Sequence, residues 1–159
     1  MLKEKILVDY ESDTNFMEKA ISQAQKAYDL GEVPVGALII RKGEVLSEAH
    51  NLTGSMKDPT AHAEVLAIRK ASERLRDWRL VGCTLYTTLE PCAMCAGALV
   101  LSRIERLVFG AADPKSGMVG SLGNLVCDDR LNHRLEVTSG ILQDESADLL
   151  RSYFKNRRS

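Results

Sequence analysis

Apolar positions along this 159-residue chain change period several times, and each change marks an element. From Asn15 to about Leu30, Met17, Ala20, Ile21, Ala24, Ala27 and Tyr28 recur at helical spacing, with Gly31 placed to stop the helix. Val33 to Ile40 is apolar and β-branched, Arg41-Lys42-Gly43-Glu44 reads as a turn, and Val45 to Ala49 continues as a second strand, so a hairpin is expected. His50 to Thr60 has turn residues and no periodicity, which predicts a loop. Val65, Leu66, Ile68, Ala71 and Leu75 then form a helical stripe suited to packing on a sheet. Leu85 to Leu89 reads as a buried strand, Ala96 to Leu101 as helix, and Arg106 to Phe109 as a short strand. Gly110 to Gly123 is a loop with four glycines and Pro114, and a loop of that length near a site is more often functional than idle. A last strand is expected near Glu136 to Thr138, before a final helix from Asp144 to Arg158. Residues 1–12 carry no pattern and read as a loosely held arm.

The length suits one domain with a real core, and a single domain over residues 1–159 is expected. Composition is 45% hydrophobic and 27% charged, and no apolar run approaches the roughly 20 residues of a membrane span. No membrane association is expected. The first residues are too poor in apolar side chains for a signal-peptide core, so a cytoplasmic location follows by default. A net charge of -1 excludes a broadly basic nucleic-acid binder while leaving room for a local basic patch. Of the four cysteines, two form a C-x-x-C, so disulfides are not expected, and Cys83 and Cys127 read as small packing residues.

Two short stretches carry the chemistry: His62-Ala63-Glu64 and Pro91-Cys92-Ala93-Met94-Cys95. Cys92 and Cys95 stand at i and i+3, so on a helix both sulfurs share a face, and two thiolates with the His62 imidazole suit zinc. Three protein ligands leave a fourth position open for water, the mark of a catalytic metal. Glu64, two residues past His62, is placed to stay near the metal without binding it and to shuttle protons. Both stretches also read as helix starts, with Pro91 at a first helical position and either Asp58 or Thr60 as the cap ahead of His62. Two positive helix ends would then face one metal and favour the thiolates.

These residues resemble the zinc-dependent cytidine/deoxycytidylate deaminase superfamily, whose signature pairs H-x-E with P-C-x-x-C. Asp58-Pro59-Thr60-Ala61-His62-Ala63-Glu64, Thr88-Leu89-Glu90-Pro91-Cys92, Gly120-Ser121-Leu122 and Asn132-His133-Arg134 further resemble bacterial tRNA-specific adenosine deaminases. The likeness covers nearly the whole chain after residue 15. It implies a three-layer α/β/α cytidine-deaminase-like fold with a central five-stranded mixed sheet, and a homodimer. It also implies a hydrolase acting on C–N bonds of a cyclic amidine, converting adenosine to inosine at the wobble position of a tRNA anticodon loop. By the same resemblance His62, Cys92 and Cys95 hold one Zn2+ per chain, Glu64 carries protons, and Asn51 contacts the nucleoside. Asp113 falls near the anticodon loop, and Tyr153, Phe154, Arg157 and Arg158 lie in a C-terminal helix that touches RNA. No organic cofactor is implied.

Two other readings fit parts of the pattern. A structural zinc module would draw a fourth ligand from Cys83, Cys127, His50 or His133, but it gives Glu64 no task. A deaminase of a free base or nucleotide, such as guanine or deoxycytidylate, shares the H-x-E site; the Gly-rich loop and the aromatic and basic C-terminal end favour RNA. On residue type alone Asn51 is a turn residue, His133 is a turn-satisfied polar group, and Tyr153 and Phe154 are core.

Overall fold

The computed structural model describes residues 9–157. Helix α1 spans Tyr10–Asp29, five residues earlier than the apolar period indicates, because Asp9 caps it: the Asp9 carboxylate accepts from the backbone N–H of Glu11 and Ser12. Residues 10–12 of the expected arm are therefore helix, and residues 1–8 lie outside the described residues. The buried face of α1 is Met17, Ala20, Ala24 and Ala27. These small side chains let the helix lie close to the sheet, most of all at Gly36, where an added Cβ would stand 2.0 Å from the Ala20 carbonyl oxygen.

Strands β1 (Gly36–Arg41) and β2 (Glu44–His50) form the expected antiparallel hairpin. Its turn places Lys42 and Gly43 at φ 51 and 76, the double positive φ of a two-residue connection matched to strand twist. A short helix, α2 (Thr53–Met56), interrupts the stretch expected as loop. Its first turn carries no side-chain cap of its own; the Glu32 carboxylate, from a distant part of the chain, accepts from Gly54 N at 3.1 Å and from the Ser55 amide and hydroxyl.

Helix α3 (Ala63–Leu75), strand β3 (Cys83–Leu89), helix α4 (Ala93–Leu101) and strand β4 (Arg106–Ala111) follow, then strand β5 (Glu136–Ser139) and helix α5 (Gln143–Arg157). The sheet order is β2-β1-β3-β4-β5, antiparallel as far as β1 against β3 and parallel from β3 through β5. This is the mixed five-stranded sheet that the resemblance implies. Period-two alternation sorts the two faces. Ile39, Leu85 and Leu107 stand in register and pack with Ala67, Ala71, Ala96 and Leu99 of α3 and α4. Leu38, Tyr86 and Val108 point the other way, onto Met17 and Ala20 of α1. Helix α5 lies beside α1: Asn156 Nδ2 donates to the Tyr28 hydroxyl, and the Tyr153 hydroxyl donates to the Gly31 carbonyl.

One charged pair is buried under α1. Arg106 donates to both oxygens of Asp13, at 2.8 and 2.6 Å, and the Tyr86 hydroxyl adds a third bond to Asp13 at 2.6 Å. The pair joins α1 to two central strands where nothing but protein surrounds it.

Candidate metal centre and active site

The three expected ligands meet at two helix starts. His62 is the N-cap residue of α3 and Cys92 that of α4, both in extended backbone, with Cys95 in the first turn of α4. Neither Asp58 nor Thr60 caps α3. Asp58 instead closes its own turn, accepting from the Thr60 amide at 2.8 Å and the Thr60 hydroxyl at 2.7 Å. Likewise Pro91 precedes the cap and is not the first helical residue. The two helix starts converge because His62 and Cys92 themselves occupy the caps, which brings the positive ends of α3 and α4 to the cluster.

His62 Nδ1 lies 3.6 Å from Cys92 Sγ and 3.5 Å from Cys95 Sγ. Tetrahedral zinc with ordinary bonds of about 2.3 Å to sulfur and 2.0 Å to nitrogen separates such atoms by about 3.5 Å. The donor set therefore fits zinc in chemistry and in spacing. Among the described residues this is the group able to hold a metal. The candidates for a fourth protein ligand are engaged elsewhere: His133 Nε2 on the Ile104 carbonyl at 2.6 Å, His50 Nδ1 near the Asn51 carbonyl at 3.2 Å, Cys83 on Val81 and Cys127 on Leu135.

Protons within the trio are unevenly held. The Cys92 thiol is driven down to about 3 by the hydrogen bond from Cys95, with His62 as a second donor. Cys95 is pushed up by that same bond and by burial, and His62 is raised by its bond to Cys92. A metal must displace these protons to bind.

Glu64 sits one helical step inside α3 and is nearly inaccessible. The Thr87 hydroxyl, from β3, donates to Glu64 Oε1 at 2.8 Å. Burial raises the Glu64 carboxyl above its ordinary value despite opposing bonds from Cys95 and Thr87 and the charge of His62. A carboxyl so placed holds a proton more readily than a solvated one and can pass it to a neighbour.

Asn51 is buried just past β2, its backbone N–H on the Val35 carbonyl and its side chain reaching Thr53 through contacts of 3.4 Å. Asp113 lies in the Gly-rich loop and accepts from the Lys115 and Ser116 amides. The C-terminal residues divide. Phe154 and Arg157 are exposed, and Arg158 lies outside the described residues. Tyr153 does not stand out to receive a base: it is 6% exposed, its hydroxyl is used by Gly31, and Tyr28, Phe154 and the Arg157 guanidinium crowd its ring. Within this chain Tyr153 packs, because α5 turns this position inward onto α1. Arg157 shares that work, donating to the Gly31 carbonyl at 2.6 Å.

Three residues near the site escaped the sequence reading: Thr87, Glu32 and Glu90. Glu90 is 3% exposed and accepts from the amides of Asp113, Val119 and Ser121 and from the Ser121 hydroxyl. A buried carboxylate needs partners, but here they lie more than twenty residues away and leave no local pattern.

A mixed sheet with a His/Cys/Cys cluster at two helix starts and a buried carboxyl beside it defines the deaminase class of α/β proteins. Residues 11–158 match the family described as MafB19-like deaminase. The chain is 50% identical over 146 residues to the tRNA-specific adenosine deaminase of Bacillus subtilis (strain 168), covering 92% of this chain and 91% of that one. It is 49% identical over 144 residues to the enzyme of the same name from Aquifex aeolicus (strain VF5), covering 91% and 95%. A solved structure from a study of A-to-I editing by tRNA:A34 deaminases at the wobble position of transfer RNA aligns with TM-score 0.84 and 44% identity, over 86% of this chain and 99% of that one. Guanine deaminase from Bacillus subtilis aligns with TM-score 0.60 and 37% identity, over 66% of each chain. The chain belongs to the family of tRNA-specific adenosine deaminases.

Proposed function

We propose that this chain, as one deaminase domain, converts adenosine to inosine at the wobble position of a tRNA anticodon with one Zn2+ held by His62, Cys92 and Cys95. The observation that carries the reading is Glu64 buried directly beside the three ligand atoms, in a chain about half identical over nine-tenths of its length to named tRNA deaminases. When bound, zinc supplies Lewis-acid activation of water, lowering its pKa to about 7. Glu64 takes the proton released by the attacking water and delivers it to the purine ring nitrogen as oxygen adds at C6. Glu64 then takes the proton of the new C6 hydroxyl and passes it to the C6 amino group, which leaves as ammonia while C6 becomes a carbonyl, so one water is consumed for each inosine formed. The Thr87 hydroxyl keeps Glu64 Oε1 oriented through both transfers. Asn51 has side-chain capacity to spare for a nucleoside, since among the described residues its side chain makes long contacts of 3.4 Å to Thr53.

Asp113, Phe154, Arg157 and Arg158 are assigned to RNA contact on the family likeness, with Phe154 exposed beside the packed Tyr153. A homodimer is supported by the outward face of α4, where Ala93, Met94, Gly97, Ala98 and Leu101 present no charge and Leu101 is 70% exposed. Among the described residues no helix is long and apolar enough to cross a membrane, and a tRNA substrate places the enzyme in the cytoplasm.

The likeness to guanine deaminase supports a second reading, a free-base deaminase on the same site. Incubating the purified protein with total tRNA and, separately, with free adenosine, cytidine and guanine separates the two. Inosine in tRNA with no ammonia from the free compounds is expected; ammonia from guanine with unmodified tRNA would replace this reading with the second.

A further inference from the structure

The Gly-rich loop after β4 contains no named helix or strand, yet the stretch that follows β3 holds it at several points. Both oxygens of the Glu90 carboxylate are saturated: Oε1 accepts from Asp113 N at 3.0 Å and from the Ser121 hydroxyl, Oε2 from Val119 N at 3.0 Å and Ser121 N at 3.1 Å. Four donors meet the roughly four lone-pair sites of a carboxylate, so it has no capacity left for solvent or substrate. The loop fits the carboxylate closely. At Gly117 an added Cβ would stand 2.2 Å from Glu90 Cδ.

The same stretch reaches the metal ligands. Glu90 N donates to the Ala111 carbonyl at 2.8 Å, the Pro91 carbonyl accepts from Met118 N at 2.9 Å, and Cys92 pairs with Gly117 in an isolated antiparallel bridge. Three consecutive residues, Glu90 to Cys92, thus hold the loop and one zinc ligand in a single backbone arrangement. The loop begins with Asp113, the residue assigned above to the anticodon.

We propose that Glu90 is a positioning residue for the RNA substrate: its carboxylate fixes the Asp113–Ser121 loop against the strand end that carries Cys92, so that the loop meets the anticodon already ordered. This rests on the reading under Proposed function. Pre-ordering removes an entropy cost from binding, so its loss falls on KM, while the metal, Glu64 and the turnover of bound substrate stay as they are.

Glu90→Gln keeps the shape but turns one acceptor oxygen into a donor facing N–H groups. Ser121→Ala is the milder variant, losing one hydroxyl donor. Three readouts apply to the purified zinc enzyme: bound zinc, hydrogen exchange at the Val119 and Ser121 amides, and steady-state deamination of an anticodon stem-loop RNA. Glu90→Gln is expected to keep its zinc, to exchange faster at both amides, and to raise KM by about ten- to a hundredfold with kcat within about threefold of the parent. Ser121→Ala should move exchange and KM in the same direction by less. Unchanged exchange would remove the clamp; faster exchange with unchanged KM would remove its bearing on substrate; loss of zinc, or a fall in kcat at constant KM, would reassign Glu90 to support of the metal centre. A parent enzyme with protected loop amides that forms no inosine in RNA would overturn the functional reading, and with it the RNA half of this proposal, while leaving the clamp itself demonstrated.

Discussion

Thr87 and Glu64 meet across the interface of sheet and helix, hydroxyl to carboxylate, at 2.8 Å and out of solvent. Thr87→Val preserves the shape and removes the donor. A hydrogen bond to a charged group contributes about 1.5–3 kcal/mol, so turnover should fall by about tenfold or more through a less well-oriented Glu64. Single-turnover deamination at saturating RNA measures it, and zinc content should not change.

Glu64→Ala should act on the same step more severely. General acid/base catalysis contributes about 10²- to 10⁴-fold, and the loss should appear in kcat with folding and zinc retained. Elemental analysis beside the kinetics decides the role, since a variant that loses zinc would make the carboxylate a ligand. Cys92→Ala is the complement: it removes one of three donors, and zinc should largely disappear from the purified protein.

The buried pair under α1 predicts a stability effect far from the chemistry. Asp13→Ala leaves the Arg106 guanidinium, 3% exposed, without its counter-ion, and breaking a buried pair from one side costs about 3–5 kcal/mol. Urea unfolding should show the loss as a lower midpoint. Replacing Asp13 and Arg106 together by apolar residues should cost less than the single change, because no charge is then stranded.

Glu32 predicts a dependence on pH. Burial raises its carboxyl, but the Ser55 hydroxyl and the Ser55 and Gly54 amides outweigh it, so in the folded protein it titrates below its ordinary value of 4.5. With the folded value depressed, the unfolded chain binds the proton first on acidification. The stabilisation is complete above the unfolded value and is lost as pH falls through the folded one. Glu32→Gln should lower the unfolding midpoint near neutrality and shrink its decline below about pH 4.5, as read by urea titrations at several pH values.

Salt should report on the C-terminal helix. If about three cations there meet phosphates, the log-log slope of RNA affinity against salt is on the order of -2, at roughly 0.7 per contact on single strands. Arg157→Ala with Arg158→Ala should flatten it. Because Arg157 also donates to the Gly31 carbonyl, the melting temperature of the double variant must be measured alongside, and an unchanged slope would assign the helix to packing alone.

The elements were legible wherever one period ran unbroken. The Lys42-Gly43 turn and the stripe of α3 fall where the pattern puts them, and the buried strand read from Leu85 to Leu89 is β3, begun two residues earlier, because each is decided by neighbours in sequence. The start of α1 was missed since Asp9 caps it ahead of the first apolar contact, and α2 since its cap comes from Glu32. The metal trio could be read because ligand types are few and their chemistry narrow. Glu90 and Thr87 could not: an acid before a proline and a threonine in a strand look ordinary until the fold brings their partners to them. Nor does residue type reveal the packing of Tyr153, whose ring and hydroxyl meet Tyr28 and Gly31 only once the fold brings them together.

Gly36 ties these regions together by what it lacks. With 2.0 Å between its virtual Cβ and the Ala20 oxygen, and 2.6 Å to Ala24 N, even one methyl group must drive helix and strand apart. Asp13 rides on that helix and Arg106 stays with the sheet, so the displacement would be felt as a stretched ion pair two turns away, while Thr88, whose hydroxyl accepts from Gly36 N at 3.2 Å, would feel it on the strand that leads to Cys92 and Cys95. A single hydrogen at position 36 sets the spacing between two layers of the molecule, and every alternative residue at that site would have to move a whole helix to be accommodated.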